Sequence, residues 1–206
     1  LVKPAYWDEA KRVLSRSDPV LGAIIRRHPR IHLVPRGDPF HTLARSIVGQ
    51  QISVKSAQAV WNRLLDALPA VTPEHALEAS AERLLACGLS RRKVEYLADL
   101  AAHFVSGRIV PAQWQTMDDE DVIAELVEIR GIGRWTAEML LMFSLLRPDV
   151  LPVDDLGLQR GVSIAYRDGR KLSETAIRRI AKTWAPWRSV ATWYLWRSLD
   201  PVPVEY

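Results

Sequence analysis

The sequence predicts an all-α protein, and three features of the chain support this fold class. Apolar residues recur mainly at helical spacing along the whole chain. Residues that cap helix starts precede many of these segments, several of them followed directly by proline. Alternation of apolar and polar residues, which is typical of a half-buried strand, is restricted to residues 31–34. We therefore expect helices joined by short connections and one short candidate strand.

Capping residues mark where the helices are expected to begin. Asp18, Asp38 and Thr72 each precede a proline, which suits the first helical position because its φ angle is already helical. Pro186 is expected to separate the last two helices, since proline cannot continue a helix. Serines in comparable positions predict four further helix starts, at Ser53, Ser80, Ser90 and Ser173.

Two of the predicted helices flank a Gly-Ile-Gly sequence. Apolar spacing indicates a short amphipathic helix over residues 121–129, which Gly131 and Gly133 would end. The next helix is expected over residues 134–143 and is apolar nearly all round, as in a buried helix. Its first N–H groups lack partners within the helix and could bind an anion such as phosphate. The same glycines would also serve a plain helix–turn–helix corner.

A carboxylate follows at short range. Pro152 and Val153 should be extended, and Asp154 and Asp155 then precede a helical pattern over residues 156–162. Either aspartate could be the N-cap of that helix. A carboxylate close to a phosphate-binding turn is typical of an enzyme that acts on a nucleic acid, whereas two aspartates at a helix start usually serve as caps alone.

The motifs together resemble the signature of the helix–hairpin–helix (HhH-GPD) DNA glycosylase superfamily, and more narrowly the DNA-3-methyladenine glycosylase II family. The resemblance is carried first by Ile129-x-Gly131-Ile132-Gly133-Arg134-Trp135-Thr136-Ala137 and then by Leu151-Pro152-Val153-Asp154-Asp155. Supporting stretches follow the family's order, at residues 38–40, 47–53, 88–93 and 184–189. The similarity covers roughly residues 18–198.

The resemblance implies a single HhH-GPD glycosylase domain over residues 1–206, built as a two-lobed helical bundle with the active-site cleft between the lobes. Lobe one would comprise about residues 39–147, and lobe two would comprise residues 1–38 with residues 148–206. Some members carry an additional N-terminal α/β domain. The segment before Asp38 is too short for it, so the chain resembles the compact form.

The implied reaction is hydrolysis of the N-glycosidic bond of an alkylated base that has been flipped out of double-stranded DNA, leaving an abasic site. The family's catalytic aspartate corresponds to Asp155. Its carboxylate would stabilise the positive charge that develops on the deoxyribose, and could also activate water. The resemblance places Trp135, Trp196, Met139 and Leu156 in the base pocket, and the aromatic faces of the two tryptophans suit a cationic base. Three other tryptophans are expected in the core: Trp184, Trp187 and Trp193.

Further residues are assigned to DNA and to a cation by the same resemblance. The family fills the gap left by the flipped base from the turn at residues 49–53. Its usual apolar wedge position falls on Gln51, with Gln50 adjacent, so a glutamine here departs from the family pattern, and which of the two glutamines enters the duplex stays open. The expected phosphate contacts lie at the hairpin and the following helix: Gly131, Gly133, Arg134 and Thr136. A monovalent cation, Na⁺ or K⁺, would be held by the backbone carbonyls of Val127, Ile129 and Ile132.

Two other properties are expected to be absent. Relatives that also cut the strand use a lysine after the hairpin, and Trp135 occupies that position here, so lyase activity is not expected. Relatives with an iron–sulfur cluster need four cysteines. This chain has one, Cys87, in an apolar segment typical of a buried thiol, so neither a cluster nor an internal disulfide is expected. The resemblance implies no other required cofactor.

The composition agrees with a globular DNA-binding protein. The net charge is +4, 48% of residues are hydrophobic and 25% are charged. No apolar run is long enough for a membrane span and no targeting signal is seen, so we expect a cytoplasmic protein. The resemblance further implies a monomer that binds double-stranded DNA containing alkylated bases. Two alternatives are an HhH glycosylase for deaminated or mismatched bases and a non-catalytic HhH module that only binds DNA.

Overall fold

The computed structural model describes residues 3–199, and the chain in that range is helical with no β-strand, which confirms the predicted fold class. Two 3-10 helices occur, at Pro111–Gln115 and Lys182–Trp184. In chain order the α-helices of this range are α1 (Trp7–Ser17), α2 (Pro19–Arg27), α3 (Pro39–Gly49), α4 (Val54–Ala67), α5 (Pro73–Glu78), α6 (Ala81–Ala86), α7 (Arg91–Val105), α8 (Asp119–Val127), α9 (Arg134–Phe143), α10 (Leu156–Arg167), α11 (Glu174–Ala181) and α12 (Arg188–Leu199).

The chain divides into two compact units. Within the described residues, one unit contains residues 3–35 together with residues 141–199, and the other contains residues 36–140. The division therefore falls within α9. The single-domain assignment and a lobe boundary near residue 147 stay predictions. No helix within residues 3–199 has both the length and the apolar composition that a bilayer span requires.

All seven predicted helix caps are confirmed. The side chain of each capping residue accepts a hydrogen bond from a backbone N–H in the first turn of its helix, as expected for an N-cap. Pro19, Pro39 and Pro73 occupy the first position of α2, α3 and α5. The seven caps are Asp18, Asp38, Ser53, Thr72, Ser80, Ser90 and Ser173.

Two predictions about secondary structure were wrong in part. Residues 31–34 form no strand, because no strand partner exists among the described residues and Pro29 and Pro35 flank the segment. Only Leu33 of that segment is buried, against the core. The helix before the hairpin runs over Asp119–Val127 instead of residues 121–129, and Ile129 lies in the turn that follows it.

The first unit is built around a buried carboxylate. Asp18 is 6% exposed. Besides capping α2, it accepts hydrogen bonds from the Tyr166 hydroxyl at 2.6 Å and from the Trp184 Nε1–H at 3.1 Å. Burial and the hydrogen bond to Asp18 raise the pKa of the Tyr166 hydroxyl, so it remains a donor. These bonds satisfy a costly buried charge and fix the C-terminal part of α10.

The second unit encloses the N-terminal part of α9. Residues 136–140 are all buried there, as predicted for a helix that is apolar nearly all round. Phe40 of α3 packs edge-to-face on Phe104 of α7, with ring centroids 5.3 Å apart. The thiol of Cys87 is also buried in this unit, which confirms that prediction. The ring contact joins the start of α3 to the C-terminal part of α7.

Candidate active site and nucleic-acid interface

Asp155 is the N-cap of α10, which settles which aspartate caps the helix. Its Oδ1 accepts a hydrogen bond from the backbone N–H of Leu158 at 2.6 Å and a second one from the Trp196 Nε1–H at 2.7 Å. The side chain is half-buried, whereas Asp154 is exposed. Two donors of different origin therefore fix the orientation of one carboxylate at a helix N-terminus, where negative charge is favoured.

Trp196 is the residue that completes this arrangement. Its indole stacks on the Phe143 ring, with centroids 6.0 Å apart and ring planes 9° apart, and meets Trp193 edge-to-face. A Cβ at Gly157 would lie 3.0 Å from both the Asp155 Oδ1 and the Trp196 Cδ1. Glycine at position 157 is therefore needed for the indole to approach the carboxylate so closely. Sequence reasoning placed Trp196 at the site but found neither its hydrogen bond nor Gly157.

Helix α12 carries Trp196, and the start of this helix is anchored to the loop after α9. Asp149 accepts from the Arg188 backbone N–H at 3.1 Å and forms a two-point ion pair with its guanidinium, at 2.7 and 2.8 Å. The Ser189 hydroxyl accepts from the Val150 N–H at 2.9 Å and donates to the Arg147 carbonyl at 2.7 Å. Such paired bonds give geometric precision. The only sequence signal for these bonds was the family-like stretch Trp-Ala-Pro-Trp-Arg-Ser at residues 184–189.

The other residues predicted near Asp155 differ in exposure. Leu156, the first residue of α10, is 78% exposed. Trp184 and Trp193 are buried, which confirms their assignment to the core. Trp187 is only half-buried and stacks on Tyr6, with centroids 5.7 Å apart, so the core assignment was wrong for this residue.

The glycine hairpin in the second unit has the predicted form. The N–H of Ile132 donates to the Ile129 carbonyl at 3.0 Å, and Gly131 adopts a φ of +86°. A Cβ at Gly131 would overlap the ring of Tyr96, whereas one at Gly133 would meet no atom within 4 Å. Gly131 is therefore required by the fold. Gly133 is exposed and leaves room for an approaching ligand at the start of α9.

We expect the two glycines to differ in their effects on stability. Gly131→Ala should lower the free energy of unfolding by about 2 kcal/mol, because alanine is strained at positive φ and its Cβ displaces Tyr96. Gly133→Ala should change it by less than about 0.5 kcal/mol, as at an unconstrained surface site. Urea titrations of both variants measure this, and equal losses would contradict the assigned roles.

Arg134 and Thr136, predicted as DNA contacts, are already engaged within the protein. Arg134 forms ion pairs with Glu120, at 2.9 Å, and with the buried Glu138, at 3.1 Å. The hydrogen bond to Glu120 is the main reason that the pKa of Arg134 is raised. The Thr136 side chain is only 7% exposed. A contact of Thr136 with DNA through its backbone N–H, in the first turn of α9, stays a prediction.

The hairpin offers backbone carbonyl oxygens, which are the kind of ligand that the expected cation site needs. Backbone carbonyl oxygens are the hard ligands that alkali cations prefer. The Ile129 carbonyl accepts one hydrogen bond, from Ile132, and a carbonyl oxygen has two lone pairs. Val127 ends α8 and is partly exposed. A cation bound by Val127, Ile129 and Ile132 stays a prediction.

The turn between α3 and α4 lies beside a groove of about 990 Å³ in the second unit. Gln51 is exposed and has a φ of +59°, a strained value for a residue other than glycine. The Gln50 Nε2 donates to the Gly131 carbonyl at 2.8 Å. Both glutamines, Trp135 and the basic residues Arg45 and Lys55 line the groove. The Gln50 hydrogen bond thus joins the turn to the hairpin.

Met139, which was predicted for the base pocket, lies further along α9 and is buried.

Comparisons with known proteins agree with these features. The sequence profile of the HhH-GPD superfamily of base excision DNA repair proteins matches residues 44–186. The DNA-3-methyladenine glycosylase 1 of Schizosaccharomyces pombe is 36% identical over 167 residues, which are 78% of this chain and 72% of that protein. This chain spans 66% and 65% of the length of two further curated relatives.

Two solved structures are similar over most of the chain. One is the 3-methyladenine DNA glycosylase of Schizosaccharomyces pombe in complex with abasic DNA, with a TM-score of 0.82, 32% identity, and coverage of 92% of this chain and 96% of that one. The other is a DNA-3-methyladenine glycosidase from Bacillus halodurans, with a TM-score of 0.84, 37% identity, and coverage of 93% and 89%. The chain belongs to the HhH-GPD superfamily of base excision DNA repair proteins.

Proposed function

We propose that this protein is a DNA glycosylase that excises alkylated bases, of the 3-methyladenine and 7-methylguanine type, from double-stranded DNA. The observation that carries the proposal is the Asp155 carboxylate, held at the start of α10 by the Leu158 N–H and the Trp196 indole N–H. The names of the similar proteins support the same substrate class. The products are the free base and an abasic site in an unbroken strand.

The arrangement at Asp155 accounts for the chemistry. When the bond between C1′ and the base nitrogen breaks, its electron pair leaves with the base and positive charge develops on the sugar. A preorganised carboxylate stabilises that charge without having to reorient during the reaction. Water then adds to C1′ and loses a proton, for which Asp155 is the proposed acceptor. An alkylated base that already carries positive charge leaves readily, so one acidic residue suffices.

Excision requires that the base leave the helical stack. The stacked rings of Trp196 and Phe143 present an electron-rich surface next to Asp155, and such a surface attracts a cationic base. This favours alkylated purines over neutral deaminated bases, which would need more hydrogen-bonding groups. Trp135, Met139 and Leu156 are proposed as further residues of the base pocket.

The hairpin and the first turn of α9 are proposed to bind a DNA phosphate through backbone N–H groups. Gly133→Val should therefore weaken binding to damaged and undamaged duplexes alike by about tenfold, roughly the effect of one lost charge-assisted contact. Fluorescence anisotropy of both duplexes measures this. A loss confined to damaged DNA would contradict a phosphate-binding role for the hairpin.

Further properties of the protein belong to the same proposal. A tryptophan occupies the position where relatives that cut the strand have lysine, so Trp135 supports a monofunctional enzyme without lyase activity. A monomer in the cytoplasm, with no required cofactor and with a monovalent cation at the hairpin, is the proposed working form.

The experiment that tests the lesion class compares two duplexes of one sequence, one methylated and one containing hypoxanthine or uracil. We expect base release from the methylated duplex at a rate at least tenfold higher, with no strand break before alkali treatment and no covalent adduct after borohydride addition. Faster release of the deaminated base would favour the alternative glycosylase. Tight binding without release from either duplex would favour a non-catalytic module.

A further inference from the structure

We propose that Gln50 is a positioning residue that joins the gap-filling turn to the phosphate-binding hairpin and so holds Gln51, which stands at the family's gap-filling position. The gap-filling turn is defined as residues 49–53. This proposal rests on the proposed function, because it assigns roles within the same DNA-binding surface. It reassigns Gln50, which the sequence placed among the DNA contacts.

The link between turn and hairpin is a single long-range hydrogen bond. The Gln50 Nε2 donates to the Gly131 carbonyl at 2.8 Å, across 81 residues of sequence. The acceptor is rigidly placed, because Gly131 holds a positive φ and packs against the Tyr96 ring with no space for a Cβ. Gln50 is itself partly buried. The Gln50 side chain is therefore directed towards the hairpin and is anchored there by this hydrogen bond.

Gln51 has the properties of the inserted residue. It is exposed and holds a φ of +59°, which costs a residue other than glycine about 1–2 kcal/mol. Such a conformation persists only when its neighbours impose it. Before it, the Lys93 Nζ donates to the Val48 carbonyl at 2.7 Å, and Gln50 is bound to Gly131. After it, Ser53 caps α4.

The anchors on both sides of Gln51 have a consequence for DNA binding. When the hairpin holds a phosphate, the Gln50 hydrogen bond keeps the turn at a fixed distance from that phosphate. Gln51 is then already in place to fill the gap, and little conformational entropy is lost when it enters. Loss of the Gln50 bond should release the turn and so remove the contribution of Gln51.

A double-mutant cycle tests this dependence without any chemical step. The probe is a duplex with a tetrahydrofuran abasic-site analogue, and the measured quantity is the ratio of its affinity to that of the intact duplex. Gln50→Ala and Gln51→Ala should each lower the ratio about tenfold, which corresponds to about 1.4 kcal/mol. The double variant should lower it no further, because both changes remove one function. Gln115→Ala, an exposed glutamine of the 3-10 helix, is the matched control.

Three results would overturn the proposal. The first is a double variant whose loss is the product of the single losses, since independent DNA contacts behave that way. The second is an unchanged ratio for Gln50→Ala. The third is a full ratio for Gln50→Glu, which keeps the size of the side chain but replaces the N–H donor with an acceptor. Melting temperatures of all variants identify any that do not fold, and Gln50→Glu then carries the test.

The role of Gln50 and the proposed function can be contradicted independently, because different measurements test them. The affinity ratio depends on the abasic gap alone, whereas excision of methylated bases is read as free base. A normal cycle in a protein that releases no methylated base would remove the substrate assignment and leave the role of Gln50 intact. Normal base release, together with a double-variant loss equal to the product of the single losses, would contradict the role of Gln50 and leave the substrate assignment intact.

Discussion

Asp155→Asn is expected to reduce the single-turnover rate of methylated-base release about 10²- to 10³-fold, the range for loss of a preorganised electrostatic group. Asparagine retains an oxygen that can accept from the Leu158 N–H and the Trp196 indole, so the cap and the fold should persist. Only the negative charge that stabilises the sugar cation is removed. Base release at saturating enzyme, with the melting temperature as a check on folding, measures the effect.

The neighbouring aspartate provides the matched control for this prediction. Asp154→Asn makes the same chemical change at an exposed position that does not cap α10. It should leave the single-turnover rate within about twofold of the wild type, as expected for an exposed charge away from the reacting atoms. A large loss in Asp154→Asn with a normal rate in Asp155→Asn would show that the wrong aspartate has been assigned.

Trp196 should have the second largest effect, and its two roles can be separated. Trp196→Ala removes both the stack on Phe143 and the hydrogen bond to Asp155, and should lower base release about 100-fold. Trp196→Phe keeps an aromatic face but lacks the N–H, and should lower it about tenfold, the effect of about 1.4 kcal/mol. Neither change should affect binding to undamaged DNA.

The measurement pairs the excision rate with the affinity for an undamaged duplex. Trp187→Phe is the matched control, because the Trp187 ring stacks on Tyr6, whereas the Trp196 ring stacks on Phe143 and its N–H donates to Asp155. Equal losses of excision and of undamaged-DNA binding in Trp196→Ala would show a structural role instead of a role at the base.

Local features of the fold could be predicted from the sequence because short-range physics determines them. Each capping residue lies two or three positions from the N–H that it accepts, so the order of residues is enough to place a helix start. The bounds of α9 were also predicted correctly, because the glycines before it and the apolar residues within it are local features of the chain. The candidate strand at residues 31–34 shows the limit of such patterns, because a strand needs a partner and none is present among residues 3–199.

The contacts that define the site could not be predicted in the same way. Trp196 binds Asp155 across 41 residues, and Gln50 binds Gly131 across 81, so neither pairing follows from spacing along a helix. The family signature located Asp155 and Trp196 but was silent about their hydrogen bond. The role of Gly157 became visible only when the indole was found 3.0 Å from the position that a Cβ of residue 157 would occupy.

The most direct test of the central claim is the identity of the base that the wild-type protein releases from methylated double-stranded DNA. The free products would be separated from the polymer and identified by mass spectrometry. We predict free 3-methyladenine and 7-methylguanine, with the strand intact until alkali cleaves the abasic sites. Methylated purines that remain on DNA to which the protein is bound would contradict the assignment of this chain as an alkylated-base glycosylase.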